Sequence, residues 1–545
     1  MLDTISSALS PGPSTDFHAQ QNESDESPVH RTLVHPLSQT LATSHVQEQL
    51  ITVYFESYNK SYPVLHEATF RSQSTLKNKH FRDSSWYMVY HMVLAIGEWI
   101  GGFTTEQHSL YYDAARSRFG PESLERGNFA TVQAFLLMSN YLQKRGRPNT
   151  AFNLMGIAHR MAFGLGLHRE LNHPCKTDTL SQLRRRTLFW ILYCFDSGFS
   201  ITTGRPTFML DSFIDVNIPR NVDDSGCLAQ HDQPSEVPYP TNLSALIAQA
   251  RLAKLANKAY AQFSGTSPSS DAYHQTSVME HMLQTWRSSL PGYFFSHDVP
   301  TWFKRSRKIV LWKEENIRIL LLLGSQRQRT DLHEKIAVGE RYRSVATATL
   351  MDICTFFQDT QMLFNPGFCW YATYFILQAA LALSVHELAK CSISSLPQAQ
   401  ERGDTRTYDQ LMDQSRACLQ SLSRFDPNAV VALRGLVQLQ KGVVRSRTDS
   451  MPAQPEMSNN NSSSQRQAEI PSHSQCRSSG IHQPRDTQPV PSSAEVTDPL
   501  DAFQYGSEAT FTNGLTDFMD TSLSAFDNGD FLNGVFQDCY GPFQL

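Results

Sequence analysis

Basic side chains are missing from the last sixty residues of this 545-residue chain. From Asp486 to Leu545 there are ten Asp and Glu and no Lys or Arg, so this stretch carries −10 in a chain whose net charge is −5. Residues 1–485 therefore sum to +5, close to neutral for their length, and no strongly basic domain announces a nucleic-acid surface. Paired cysteines are missing too. The nine present, from Cys175 to Cys539, are far apart, with no CxxC spacing. An odd, irregular set reads as reduced, intracellular thiols that mostly fill the core. No uninterrupted apolar run reaches the ~18 residues of a membrane span, so no membrane partner is expected. The start, MLDTISSALSPGPSTDF, lacks the basic and apolar regions of a signal peptide. Asn22, Asn59 and Asn242 open N-x-S patterns for which an intracellular chain has no use.

Catalytic signatures are equally scarce. There is no GxSxG elbow and no phosphate-binding loop. His66, His333 and His386 each precede Glu, but a zinc-protease helix needs a second His four residues on, where Phe70, Ala337 and Lys390 stand. Gly164-Leu165-Gly166 lacks the third glycine of a dinucleotide fingerprint and follows a helical pattern rather than a strand. The reading is a non-enzyme.

What is present is helical periodicity. Residues 1–45 are rich in Ser, Pro, Gln and His and read as disordered. Residues 46–445 alternate apolar helical patterns with short breakers, 446–494 are a polar low-complexity linker, and 495–545 are an acidic aromatic segment. Leu154, Ile157, Ala158, Met161 and Leu165 predict one face of a helix, weakened at Gly164 and Gly166, with a loop from Asn172. A second helix is predicted from about Ser181, with Leu183, Thr187, Trp190, Ile191 and Cys194 on one face. It should end before Gly204-Arg205-Pro206, because proline disfavours helical geometry at the residue before it. A third runs from Ala372 to about Cys391. With little period-2 alternation, the expected fold is all-α: a large helical array flanked by disordered termini.

The tail combines its acidity with Phe503, Phe511, Phe518, Phe526, Phe531, Phe536 and Phe543. Carboxylates keep such a segment solvated and hold its aromatic rings out for a partner's apolar groove, the composition of an activation segment. Phe511, Phe518, Phe526, Phe531 and Phe536 are the expected insertion points into transcriptional coactivators, with Asp517, Asp520, Asp527 and Asp530 keeping them exposed and steering them to basic rims.

Several segments, taken together, resemble the middle homology region of fungal zinc-cluster (Zn2Cys6) transcription regulators. They are Tyr54-Phe55 with Tyr62 to Phe70, Ala158 to Arg169, Arg184-Arg185-Arg186 with Phe189-Trp190 and Asp196, Gly204-Arg205-Pro206 with Ile214 to Pro219, and a block from Trp302 to Leu320. The resemblance implies a helical regulatory region, nuclear residence, transcriptional control of a metabolic or secondary-metabolite gene set, and DNA and zinc binding. From the residues alone, Phe189, Trp190 and Phe195 are core aromatics. Arg205 pairs with Asp196 or caps a neighbouring helix, in a structural role shared with Arg186, Gly204 and Pro206. Arg184 to Arg186 read as a solvated face before a nuclear-import patch, and Lys304 to Lys308 as a second import candidate.

The departure lies in the metal ligands. The first cysteine is Cys175, so the thiolates of an N-terminal zinc cluster are absent from this sequence and no zinc or direct DNA contact is supported by these residues. Three readings stay open: action through a DNA-bound partner, loss of the DNA-binding end, or a coding sequence that begins upstream. The expected function is a transcription activator working through its acidic tail. The alternative is a corepressor or metabolite sensor with an inert tail. In a sensor, a ligand near Trp190, Arg205 and Trp312 would free the tail.

Overall fold

The computed structural model describes residues 44–449 except 76–83, 104–108, 126, 172–178, 224–234, 265–271, 328, 330, 360–363 and 394–404. The chain divides into two units, Met1–Gln47 and Glu48–Leu545; only 44–47 of the first are described, and the helical array belongs to the second. All regular elements among the described residues are helical, as the periodicity predicts. In chain order they are α1 (Ser44–Val53), α2 (Glu67–Thr75), α3 (Ser84–Ile100), α4 (Leu110–Arg116), α5 (Pro121–Glu125), α6 (Phe129–Lys144), α7 (Pro148–Gly164) and α8 (Thr179–Thr203). Then come α9 (Ser244–Ser264), α10 (Ala272–Ser288), α11 (Thr301–Arg327), α12 (Leu332–Asp359), α13 (Pro366–Ile393), α14 (Thr405–Leu422) and α15 (Asn428–Asp449). A π-helical turn, Tyr54–Tyr58, and one α turn, Asn59–Ser61, prolong α1.

Neighbours in sequence are mostly neighbours in space. α3 packs on α4 and α6, α6 on α7, α8 on α9, α9 on α11, and α11 on both α12 and α13; α15 then closes over α13 and α14. Close approach is made possible where α3 crosses α1: a Cβ on Gly97 would sit 2.2 Å from the Leu50 carbonyl oxygen.

The α6–α7 hairpin shows how local chemistry sets these elements. Asn128 caps α6 through Oδ1, which accepts from the Thr131 N–H at 2.9 Å, while Thr131 Oγ1 accepts from the Asn128 N–H. Pro148 opens α7 at a position where its missing N–H costs nothing. The buried face of α7 is Ala151, Met155, Ala158 and Ala162; of the predicted stripe only Ala158 is buried, and Leu154, Ile157, Met161 and Leu165 are half-buried. Small side chains let α7 lie close against α6, and the larger apolar residues fall to the flanks.

α13 is a core helix. Its stretch Pro366–Lys390 is long and apolar enough to cross a membrane, yet most of it is buried inside the fold. It also completes the cluster around Trp312 of α11, whose ring lies 5.5–6.4 Å from those of Phe356, Phe357, Phe368 and Phe375. The indole N–H donates to Asp352 Oδ2 at 2.7 Å, which satisfies the buried polar end of this ring.

Candidate functional site

α7 and α8 end in the same way. Gly166 (φ 64°) and Gly204 (φ 67°) each follow a helix in the left-handed region, where a side chain would be strained. The next N–H then reaches back, Leu167 to the Ala162 carbonyl and Arg205 to the Ser200 carbonyl, both at 2.9 Å. Arg185 adds a further cap, donating to the carbonyls of Gly166 at 3.0 Å and Leu165 at 3.3 Å.

Past Gly204 the chain turns back along α8 as a strap. Arg186, Trp190, Tyr193, Asp196 and Ser200 recur at helical intervals and present one side, about 21 Å long, to residues 206–217. Ser200 Oγ donates to the Pro206 carbonyl at 3.1 Å. Asp196 Oδ2 accepts from the N–H groups of Phe208 (3.0 Å) and Met209 (3.4 Å). Tyr193 donates to Asp211 Oδ1 at 2.6 Å, and the Trp190 indole N–H to the Asn217 carbonyl at 2.9 Å. At the far end Glu170 gathers the pieces. Its carboxylate takes a two-pronged Arg186 guanidinium at 2.8–3.1 Å and both the N–H and side-chain amide of Asn217 at 3.1 and 2.9 Å. Burial opposes Glu170 ionisation, but the Arg186 and Asn217 donors outweigh it and hold its pKa below the usual value. The His168 carbonyl joins the same clasp, accepting from Asp215 and Val216 at 3.1 Å.

Three expectations about charged residues change here. Arg205 does not pair with Asp196. Its guanidinium turns outward to Asn149 Oδ1 and lies 4.5 Å from the Phe152 ring, while Asp196 is occupied by the strap backbone. Arg184, Arg185 and Arg186 are not a solvated face: they are half-buried against the Phe129 ring, the α7 carbonyls and Glu170 respectively. The Lys304 to Lys308 cluster is likewise built into the fold, with Arg307 bound to the Tyr293 and Ser296 carbonyls and Lys308 to Asp352. Backbone carbonyls and carboxylates take the cationic donors of Arg185, Arg186, Arg307 and Lys308, whereas Arg184 and Arg205 lie against aromatic rings.

Trp190 is 1% exposed and Trp312 fully buried, so neither indole is open to a ligand without opening the core. Next to the strap, His159 Nε2 lies 4.0 Å from Asp196 Oδ1, with the His159 ring stacked on Phe208. Burial pushes Asp196 up to about 6 against its two backbone donors, and pushes His159 down to about 3.

The opposite side of α8, through Phe195, Gly198, Phe199 and Thr202, lines a cavity shared with α6, α9, α11 and α13. It is narrow, with a cavity volume of ≈ 70 Å³. Most of its wall is apolar; Lys313, Asn316 and Gln249 stand out as polar groups. Lys313 Nζ donates to Gln249 Oε1 at 2.8 Å and lies 5.3 Å from the Tyr371 ring centre. Although Lys313 keeps some accessible area, it lines the cavity, and desolvation still brings its ammonium down to about 8. On the other side of the aromatic wall Lys144 is 4% exposed. Its Nζ finds no hydrogen-bond acceptor among the described residues and sits 5.0–6.0 Å from the ring centres of Tyr62, Phe195, Trp370 and Tyr371. Burial lowers its pKa well below the usual value, and its electrostatic neighbour, Lys313, is another cation.

Sequence reasoning missed Glu170, Asn217, Lys144 and Lys313. Glu170 directly follows the Gly-Leu-His-Arg run, a signal of position only; nothing in the sequence separates a buried lysine from a surface one. The tail residues Phe511, Phe518, Phe526, Phe531, Phe536, Asp517, Asp520, Asp527 and Asp530 lie outside the described residues. Among the described residues no group of three or more His, Cys, Asp or Glu could hold a metal, and the four cysteines whose side chains are described are free, buried thiols. These residues do not fit a zinc cluster.

The geometry so far defines a helical scaffold whose motif residues hold one another, and comparison with known proteins places it. Residues 51–288 match the fungal specific transcription factor domain. The chain is 27% identical to the lactose regulatory protein LAC9 of Kluyveromyces lactis over 358 residues, covering 63% of this chain and 38% of the relative. It is 25% identical over 290 residues to the transcriptional activator protein acu-15 of Neurospora crassa, covering 49% and 30%. It is 29% identical over 307 residues to the thiamine repressible genes regulatory protein thi1 of Schizosaccharomyces pombe, covering 53% and 36%. The chain thus spans about a third of the length of these relatives, which are named as gene regulators. No solved structure matches it. Over residues 51–288 the chain is thus similar to the fungal specific transcription factor domain, a region it shares in part with relatives named as transcription regulators.

Proposed function

We propose that this chain is a pathway-specific transcription activator of the nucleus, in which the helical region docks and regulates while the tail recruits coactivators. The observation that carries the reading is the junction of two parts: a transcription factor domain at 51–288 and, further on, sixty residues with ten acidic groups, seven phenylalanines and no basic side chain. Rings on an acidic chain bind amphipathic grooves by burying apolar area, and the carboxylates speed encounter with basic rims. Relatives named for lactose and thiamine gene regulation support control of one metabolic gene set. A DNA-bound partner is one route by which the helical region would dock at those genes.

The test is a reporter driven by residues 486–545 fused to a heterologous DNA-binding domain. Strong activation is expected, and alanine at Phe511, Phe518, Phe526, Phe531 and Phe536 should abolish it. A silent fusion, or activity untouched by the five alanines, refutes the tail mechanism.

A further inference from the structure

A buried amine is costly unless something pairs with it. The region around Tyr371 holds two. Lys144 and Lys313 lie 5.0 and 5.3 Å from the centre of the same ring, on either side of the wall formed by Phe195, Trp370 and Tyr371. Among the described residues Lys144 has no acceptor, Lys313 has one neutral amide oxygen, and neither is in an ion pair. The other titratable groups facing them are the Cys194 thiol, which burial pushes up to about 12, and the Tyr62, Tyr371 and Tyr374 phenols, which burial also raises, so none of these supplies an anion. One turn from Lys313 on α11, Asn316 is buried, lines the same cavity and leaves its Oδ1 without a donor among the described residues. Much of the remaining wall, including Phe199, Leu252 and Ile317, is apolar, with Asn140, Gln143, Ser197 and Thr202 as further polar groups.

We propose that this cavity is the binding site of a small organic acid: a carboxylate seated on Lys313, an apolar body along α8 and α9, and a hydroxyl or amine that donates to Asn316 Oδ1. A carboxylate there would also favour the charged form of Lys144 behind the aromatic wall, which burial by itself disfavours. The unmet valences of the cavity are those a hydroxy acid of narrow cross-section would satisfy, and the cations are held dry, where an ionic hydrogen bond is stronger than in water. Occupancy would bridge α8, α9, α11 and α13, so a ligand here would stiffen the centre of the helical array. The inference does not rest on the activator reading, because binding is measured on the purified full chain without DNA or a reporter.

The probe is 4-hydroxyphenylacetate, followed by calorimetry and by quenching of tryptophan fluorescence, with Trp370 in the cavity wall. Saturable binding is expected. Its uncharged counterpart 4-hydroxyphenethyl alcohol should bind about tenfold more weakly or worse, and phenylacetate, which lacks the donor for Asn316, severalfold more weakly. Lys313→Met should erase the preference for the acid over the alcohol, and Lys144→Met should reduce it. Both substitutions remove an amine with no carboxylate partner in the fold, so their melting temperatures should match or exceed that of the parent. The acid–alcohol comparison needs no variant, so a misfolded mutant leaves the test intact. Equal binding of acid and alcohol, an undiminished preference in Lys313→Met, or no saturable binding of either acid overturns the proposal.

Discussion

Removing the Glu170 carboxylate should unfasten the strap at its far end. The carboxylate accepts from Arg186 Nε and Nη2 and from two donors of Asn217, all between 2.8 and 3.1 Å. Hydrogen bonds to a charged group are worth about 1.5–3 kcal/mol each when dry, but the Arg186 and Glu170 side chains are 21% and 25% exposed, so water replaces part of what is lost. That sets the expected cost of Glu170→Ala at about 2–3 kcal/mol, with an Arg186–Glu170 coupling of about 1–1.5 kcal/mol in a double-mutant cycle with Arg186→Met. Urea unfolding gives the free energies. Hydrogen exchange gives the location: the Asn217 and Val216 amides should lose protection while amides in the middle of α6 keep theirs. The Glu170 pKa lies below its ordinary value, so the clasp contributes at neutral pH and is lost only as pH falls through that lowered value. A cost under about 0.5 kcal/mol with unchanged protection at 216–217 would refute the reasoning, since the strap would then be held by its other contacts alone.

Asp196→Asn tests the buried carboxyl. With a folded pKa of about 6, Asp196 favours the fold most at low pH and loses that advantage as pH rises from about 4 through 6. The stability difference should therefore move toward the Asn variant by up to about 3 kcal/mol between pH 4 and pH 7, the opposite slope from His159 being common to both proteins; a pH-independent difference rules this out. Gly97→Ala and Gly204→Ala should separate two kinds of glycine. A Cβ at 97 meets the Leu50 backbone at 2.2 Å and should cost about 2–3 kcal/mol, whereas at 204 nothing lies within 4 Å and only the backbone strain of about 1 kcal/mol is felt. Equal melting temperatures for the two variants would contradict this. Trp312→Phe keeps the aromatic cluster but removes one of two donors to Asp352 Oδ2, Lys308 at 2.8 Å being the other, and should cost about 1 kcal/mol by denaturant titration; a neutral result would show that Lys308 alone satisfies Asp352.

What could be read directly from the sequence was local. The helix that ends at Thr203 was bounded by Gly204-Arg205-Pro206, because backbone freedom at glycine and its restriction before proline act on the residues themselves. The all-helical class followed from periodicity, and the acidic, aromatic character of the tail is composition alone. Where several faces of a helix are buried, periodicity loses its power: α8 is enclosed on nearly every side from Leu188 to Ser197, and the buried face of α7 is set by its alanines against α6. Which partner a charge takes belonged entirely to the tertiary structure. Arg186 could have met any carboxylate and met Glu170; Arg205 passed over Asp196 for Asn149 and Phe152. Lys144 and Lys313 look like surface lysines in the sequence, and only the meeting of α6, α8, α9, α11 and α13 around Tyr371 buries them without an anion. Electrostatic partnership acts through space between segments far apart in the chain, whereas helix formation and termination act between residues a few positions apart, and that difference in range divides what this sequence determines by itself from what its fold decides.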